Sequence, residues 1–246
     1  MWCESQGFPI EQTAELRNAI EKLYLVFAQY PLRENTGACP CCHSEQDERR
    51  LHAKPLRKLN ENDLRDFVQG ALHVWGGVDD FKHFLPRIFE LAVANNAEFA
   101  DTQIAVGKLR YCEWWNWREV ERQVIQQFFR AAWNCVIEAE PNEWSGIESE
   151  EWLCGIALAD NDVASYLATW QDTQTENAGL NLASFVANSD FAKVNQRPSD
   201  YWNDCSESFA MVSTWIRSVG VKTTLRPVAD RHPECEFAER AYISLP

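Results

Sequence analysis

Apolar side chains recur along this chain at three- and four-residue intervals, and alternation of apolar with polar residues is nearly absent, so the pattern is that of helices packed by one face. From Glu11 to Tyr30, the residues Leu16, Ile20, Leu23, Phe27 and Tyr30 share a face, and Pro31 ends the run. Residues 33–44 are rich in turn formers and thiols, and Pro55 limits any helix in the charged stretch that follows. Asn60 or Asn62 opens a helix with Leu64, Phe67, Ala71 and Trp75 inward, stopped by Gly76-Gly77. Asp79 or Asp80 starts the next, with Phe81, Phe84, Leu85, Ile88 and Leu91 on one stripe; Pro86 marks its first turn or a kink within it.

After a shorter piece at 102–111, Asn116-Trp-Arg-Glu119 has the form of a capping box and opens a helix to about Ala139, with Val120, Val124, Phe128, Ala131 and Cys135 inward. Ser149 reads as the cap of another helix, broken at Asp160-Asn161 and followed at once by an antiparallel partner through Val163, Tyr166, Leu167 and Trp170. A polar linker at 172–181, a short helical piece at Leu182–Ala187, a long helix capped by Ser199 and stopped at Gly220, and a helix near 234–242 complete the chain. The expectation is one all-α domain, residues 1–246, of eight to ten helices in antiparallel pairs, as an irregular α-solenoid or a compact bundle.

Charge changes this picture because it is regional. The net charge is −14, and between Ala131 and Ala192 there are eleven carboxylates without one Lys, Arg or His. Such a balance argues against direct nucleic-acid binding, which depends on Lys and Arg neutralising phosphates. It suits attraction of a basic protein partner, with Glu143, Glu148, Glu150, Glu151, Asp160 and Asp162 as the field and Trp144 and Trp152 as anchors. The competing reading is a solvated face that serves solubility. All but one or two of the eleven tryptophans read as core, most falling on the inward faces, and Trp144 is the first candidate for exposure.

Nine cysteines in a chain of 246 residues, with no charged-then-apolar leader and no apolar run long enough to span a bilayer, read as reduced thiols of a cytoplasmic protein. Cys39 and Cys42 have the C-x-x-C spacing by which one turn offers two thiolates to a tetrahedral ion, so zinc is the cofactor to consider. His43 and His52 are the nearest further ligands, and Cys41, or His232 and Cys235 in the tail, are the alternatives. A thioredoxin-like role would want a strand–helix–strand setting that this loop lacks.

The stretch 73–91 carries the densest mixture of apolar and ionisable groups. On a helix His83, Arg87 and Glu90 share a side, and Lys82, Asp79 and Asp80 lie close by, which allows an acid–base centre. Caps and ion pairs to a neighbouring helix use the same residues equally well. No nucleophile-elbow or H-E-x-x-H pattern accompanies them.

One string of fixed spacings goes further. Cys39-Pro-Cys-Cys42, Lys54-Pro-Leu-Arg-Lys-Leu59, Asp63-Leu64, Trp75-Gly, Asp79-Asp-Phe-Lys-His-Phe-Leu-Pro-Arg87, Lys108-Leu109 and Trp117 with Glu121 resemble a family of uncharacterised bacterial proteins, over roughly residues 35–135. The resemblance implies a bacterial, cytosolic, helical protein and carries no activity. Two functional classes therefore stand open: an interaction module for a basic partner, as adaptor or inhibitor, and a zinc- or thiol-dependent enzyme or sensor.

Overall fold

The computed structural model describes residues 12–94, 101–142, 144–160, 162–189, 191 and 200–245. Among them there are twelve α-helices and no strand, so the chain is all-α with more helices than the eight to ten expected. The surplus is a short helix in the polar stretch 45–52, where capping rather than apolar periodicity provides the signal, and a separate helix, Val219–Arg231, beyond the expected stop at Gly220. Ser44 and Asp47 form a reciprocal capping box on a helix with a single buried residue, Leu51.

The chain divides into two compact units, Met1–Ala132 and Trp133–Pro246. The first contains α1 (Ala14–Phe27), α2 (Glu45–His52), α3 (Glu61–Gly70), α4 (Val78–Val93), α5 (Thr102–Tyr111) and the first turns of α6 (Glu119–Glu138), the helix in which the division falls. Thr13 caps α1 by accepting the Leu16 N–H at 3.2 Å, and the Leu16, Ile20, Leu23 and Phe27 face packs on α4. Phe81, Phe84, Leu85, Ile88 and Phe89 of α4 are wholly buried, with Phe67 against Phe84 and Phe89 stacked on Phe128. Pro86 lies inside α4, well past its start, which decides between the two positions its sequence allowed.

The second unit contains α7 (Ser145–Asp160), α8 (Val163–Asp172), α9 (Glu176–Asn188), α10 (Ser206–Ile216), α11 (Val219–Arg231) and α12 (Glu236–Ser244). Its centre is α7 against α9, with α11 and α12 also on α9 and α10 on α8. Buried residues of α7 run Trp152, Leu153, Cys154, Gly155, Ile156, Ala157 without a polar interval. A run enclosed on all sides shows no amphipathic stripe to mark the extent of its helix, and the start was therefore misplaced. Ser145, not Ser149, closes its N-terminus, accepting the Asn142 N–H at 2.9 Å, while Ser149 is buried. At Gly146 a Cβ would lie 2.7 Å from the Ser184 carbonyl oxygen, so only glycine lets α7 and α9 approach this closely.

Other expectations shift by a turn. Asn116 ends a short 3-10 turn, and the start of α6 is closed by Glu121 accepting the Arg118 N–H at 3.2 Å, which leaves Val120 exposed. Polar linker 172–181 is mostly helix, because Thr175 caps α9. Gly220 lies in the first turn of α11 and stops nothing, since Ser218 caps that helix. Ser199 lies outside the described residues. Four tryptophans of this unit, 133, 152, 170 and 202, are fully buried, so Trp152 is core and offers no anchor to a partner.

Candidate metal centre

The thiol loop is anchored on both sides by hydrogen bonds to neighbouring segments. Thr36 is buried and gives both its N–H and its hydroxyl to Glu48 of α2, each at 2.7 Å. The indole N–H of Trp75 donates to the Thr36 hydroxyl at 2.6 Å and to the same carboxylate at 3.0 Å. Burial works to raise the pKa of Glu48, but the donors from Thr36, His52 and Trp75 outweigh it and hold the carboxyl below its ordinary range. Arg33 pairs with Asp80, which also accepts the Gly77 N–H at 2.8 Å and so closes the start of α4.

The far side of the loop rests on the α3–α4 connection. The Cys39 N–H reaches the Val74 carbonyl at 2.8 Å. That connection is itself tight: Leu72 adopts a left-handed φ of 68°, a costly conformation for a branched side chain. It is held by its N–H on the Trp75 carbonyl at 3.1 Å and by the Lys108 ammonium on the carbonyls of Gln69 and Ala71, at 2.9 and 3.1 Å. Lys108 is buried, and that desolvation lowers its pKa.

On this base, the Cys39 carbonyl accepts the N–H groups of Cys42 at 3.0 Å and His43 at 2.9 Å, folding residues 39–43 into one turn. Three sulfurs come together as a result. The Sγ atoms of Cys39, Cys41 and Cys42 all lie within 4.8 Å of one another, Cys39 to Cys41 at 2.8 Å and Cys41 to Cys42 at 3.6 Å. Cys41 and Cys42 are exposed. Hydrogen bonds from Cys41 and Cys42 lower the pKa of Cys39, and contacts with Cys39 and Cys42 push Cys41 up to about 11. A positive ion at their centre would release the thiol protons.

His43 turns inward. Its ring stacks on Trp75 with centroids 4.3 Å apart, and its Nε2 is buried without a hydrogen-bond partner, beside the α-carbon of Gly70, where a Cβ would come within 2.9 Å. Together with Cys42, Asp47, Asp66, Gln69 and Val74 it lines an open hollow of about 490 Å³. His52 faces Glu48 at 3.5 Å. His232 and Cys235 belong to the second unit, where His232 faces Glu176 at 3.0 Å and Glu234 at 3.4 Å, and Cys235 precedes α12. The structure thus brings Cys41, one of the alternative ligands, to Cys39 and Cys42, and gives His43 and His52 other neighbours. C-x-x-C spacing pointed to the outer pair; nothing local says that the middle thiol turns to the same side.

The acid–base candidates on α4 are each engaged in packing. His83 gives Nδ1–H to the Tyr30 carbonyl at 2.7 Å, and burial lowers its pKa against the opposing effect of that bond. Arg87 donates to the Leu59 carbonyl and to Glu90, both at 2.7 Å, and Glu90 also accepts the Tyr24 hydroxyl at 2.5 Å. Lys82 turns to the other side, onto Glu121 and Tyr30, each at 3.0 Å.

In the acidic region Trp144 and Ile147 are both 45% exposed at the start of α7, where Glu148, Glu150 and Glu151 are half-buried. Glu150 accepts the Trp202 indole N–H at 3.2 Å, and Asp162 caps α8 through Ser165. Asp160 is half-buried at the end of α7, and Glu143 lies outside the described residues. No family model, no curated protein and no solved structure matches the chain. Among the described residues no helix is long and apolar enough to cross a membrane.

Proposed function

We propose that this protein is a helical sensor whose Cys39, Cys41 and Cys42 bind a thiophilic metal ion, zinc being the first to test. The observation that carries the reading is the meeting of three sulfurs within 4.8 Å on a loop that α2, α3 and α4 hold in place. Soft thiolate donors select zinc and monovalent copper over harder cations. Binding would tie the loop to the hydrogen-bonded base beneath it, so occupancy is transmitted to α2 through Thr36 and Glu48 and to α4 through Trp75. On this reading the protein is bacterial and cytoplasmic, like the proteins its motifs resemble. Metal analysis of freshly purified full-length protein tests the reading. One equivalent, absent from the Cys39→Ser/Cys41→Ser variant, is expected; a wild-type protein that arrives empty and takes up neither zinc nor cadmium refutes it.

A second reading has its own support. The exposed Trp144 and Ile147 stand in a region with eleven carboxylates and no cation, a setting suited to a basic protein partner held by apolar contact and steered by charge. Capture of a basic protein from the native host, weakened by salt and by Trp144→Ala, is the expected result. Capture indifferent to both would end it.

A further inference from the structure

Three protein donors either leave water the fourth position on zinc or suit an ion that needs only three. Among the described residues no fourth His, Cys, Asp or Glu joins the group. The neighbouring candidates lie outside the group. The His43 ring is stacked on Trp75, with Nε2 against Gly70. Asp47 accepts from the N–H and hydroxyl of Ser44, at 2.9 and 2.8 Å, and from Arg50 at 3.2 Å. Glu48 is taken by Thr36 and Trp75.

A closed structural zinc site uses four protein ligands at about 2.3 Å from sulfur, which sets the sulfurs roughly 3.8 Å apart around a tetrahedron. Two of the separations here are shorter, 2.8 and 3.6 Å. Three sulfurs from one turn, two of them exposed and with no fourth protein donor among the described residues, suit the base of a pyramid. The ion at its apex needs three thiolates and no fourth ligand, because its own lone pair occupies the remaining direction.

Resting on the metal reading above, we infer that the triad is a site for three-coordinate, pyramidal thiophilic ions, of which trivalent arsenic is the probe. The reaction balances without an oxidant. Arsenous acid meets three thiols, three As–O and three S–H bonds break, three As–S bonds form, and three waters leave. Cys41 and Cys42 are exposed, so the acid reaches the sulfurs directly.

The test is titration of the reduced full-length chain with arsenite, followed by native mass spectrometry and a count of free thiols. One arsenic per chain with the loss of three thiols is expected. Serine at 39, 41 or 42 singly should weaken binding by more than the roughly 100-fold that loss of a supporting residue costs a metal site. His43→Ala should leave it unchanged, and stoichiometric arsenite should displace zinc. Binding that survives in the triple serine variant overturns the proposal by placing the ion on another cysteine. Zinc that resists arsenite and depends on His43 overturns it too, while leaving the metal reading intact as a four-ligand site. A chain that takes up neither ion sinks both.

Discussion

Replacing Glu121 by Gln probes the charge cluster that locks α4 to α6 in the first unit. The Glu121 side chain is fully enclosed and accepts from four groups: the Tyr30 hydroxyl at 2.5 Å, the Lys82 ammonium at 3.0 Å, and the Arg118 guanidinium at 2.7 Å and N–H at 3.2 Å. Lys82 lies over the rings of Trp117 and Tyr30, at 4.1 and 4.7 Å, and is itself buried. The amide keeps the shape of the carboxylate but removes its charge and leaves that ammonium without its counter-ion. Breaking a buried pair from one side costs about 3–5 kcal/mol, and the surviving amide oxygen puts this case near 3 kcal/mol. Urea unfolding, with hydrogen exchange of the α4 amides to isolate the first unit, measures it. Burial works to raise the pKa of Glu121, yet the bonds from Tyr30, Arg118 and Lys82 outweigh it and leave the carboxyl below its ordinary value. A folded-state pKa that is depressed stabilises above the unfolded value of about 4.3, and that contribution is lost as pH falls through the folded value. Glu121→Gln should therefore flatten the acid limb of the stability profile. Combining it with Lys82→Met should restore much of the loss, because removing both charges leaves none buried alone. A cost below about 1 kcal/mol, an unchanged acid limb, or a double variant no better than the single one would refute the reasoning.

Three further outcomes are expected. Gly146→Ala places a methyl group 2.7 Å from the Ser184 carbonyl oxygen and should destabilise by about 1–3 kcal/mol in thermal unfolding, even though alanine is the better helix former. Gly70→Ala meets His43 Nε2 at 2.9 Å, so it should move that ring off Trp75, visible in the histidine ring resonances, while arsenite still binds. His83 has a folded-state pKa lowered by burial, so the unfolded chain takes up a proton first; stability should decline as pH falls from about 6.5 towards the folded value, and His83→Gln should remove that slope in urea titrations at stepped pH.

Local rules decided a good deal of this protein. The all-α class, the faces of α1 and α4, the inward placement of most tryptophans and the C-x-x-C turn all follow from spacing and capping within a few residues. The start of α7 was misplaced because residues 152–157 are buried all round, and periodicity reports only a difference between faces. Glu121 sits three residues past Arg118 like any helix-start acid, and nothing in that spacing says that Lys82 and Tyr30, from two other segments, converge on it.

The candidate centre divides the same way. Cys39, Cys42 and the choice of a thiophilic ion were legible, since two thiols in one turn are chemistry that the chain carries with it wherever it folds. That the thiol turn is tied down at Val74, and that His43 leaves it to stack on Trp75 beside Gly70, depends on residues 27 to 35 positions further along the chain. The sequence by itself therefore determined which donors exist, the helices that flank them and the acidity of residues 131–192. Only the tertiary structure decided which donors share a centre, because a side chain turns towards whatever packs beside it, and for this loop that neighbour is the α3–α4 connection.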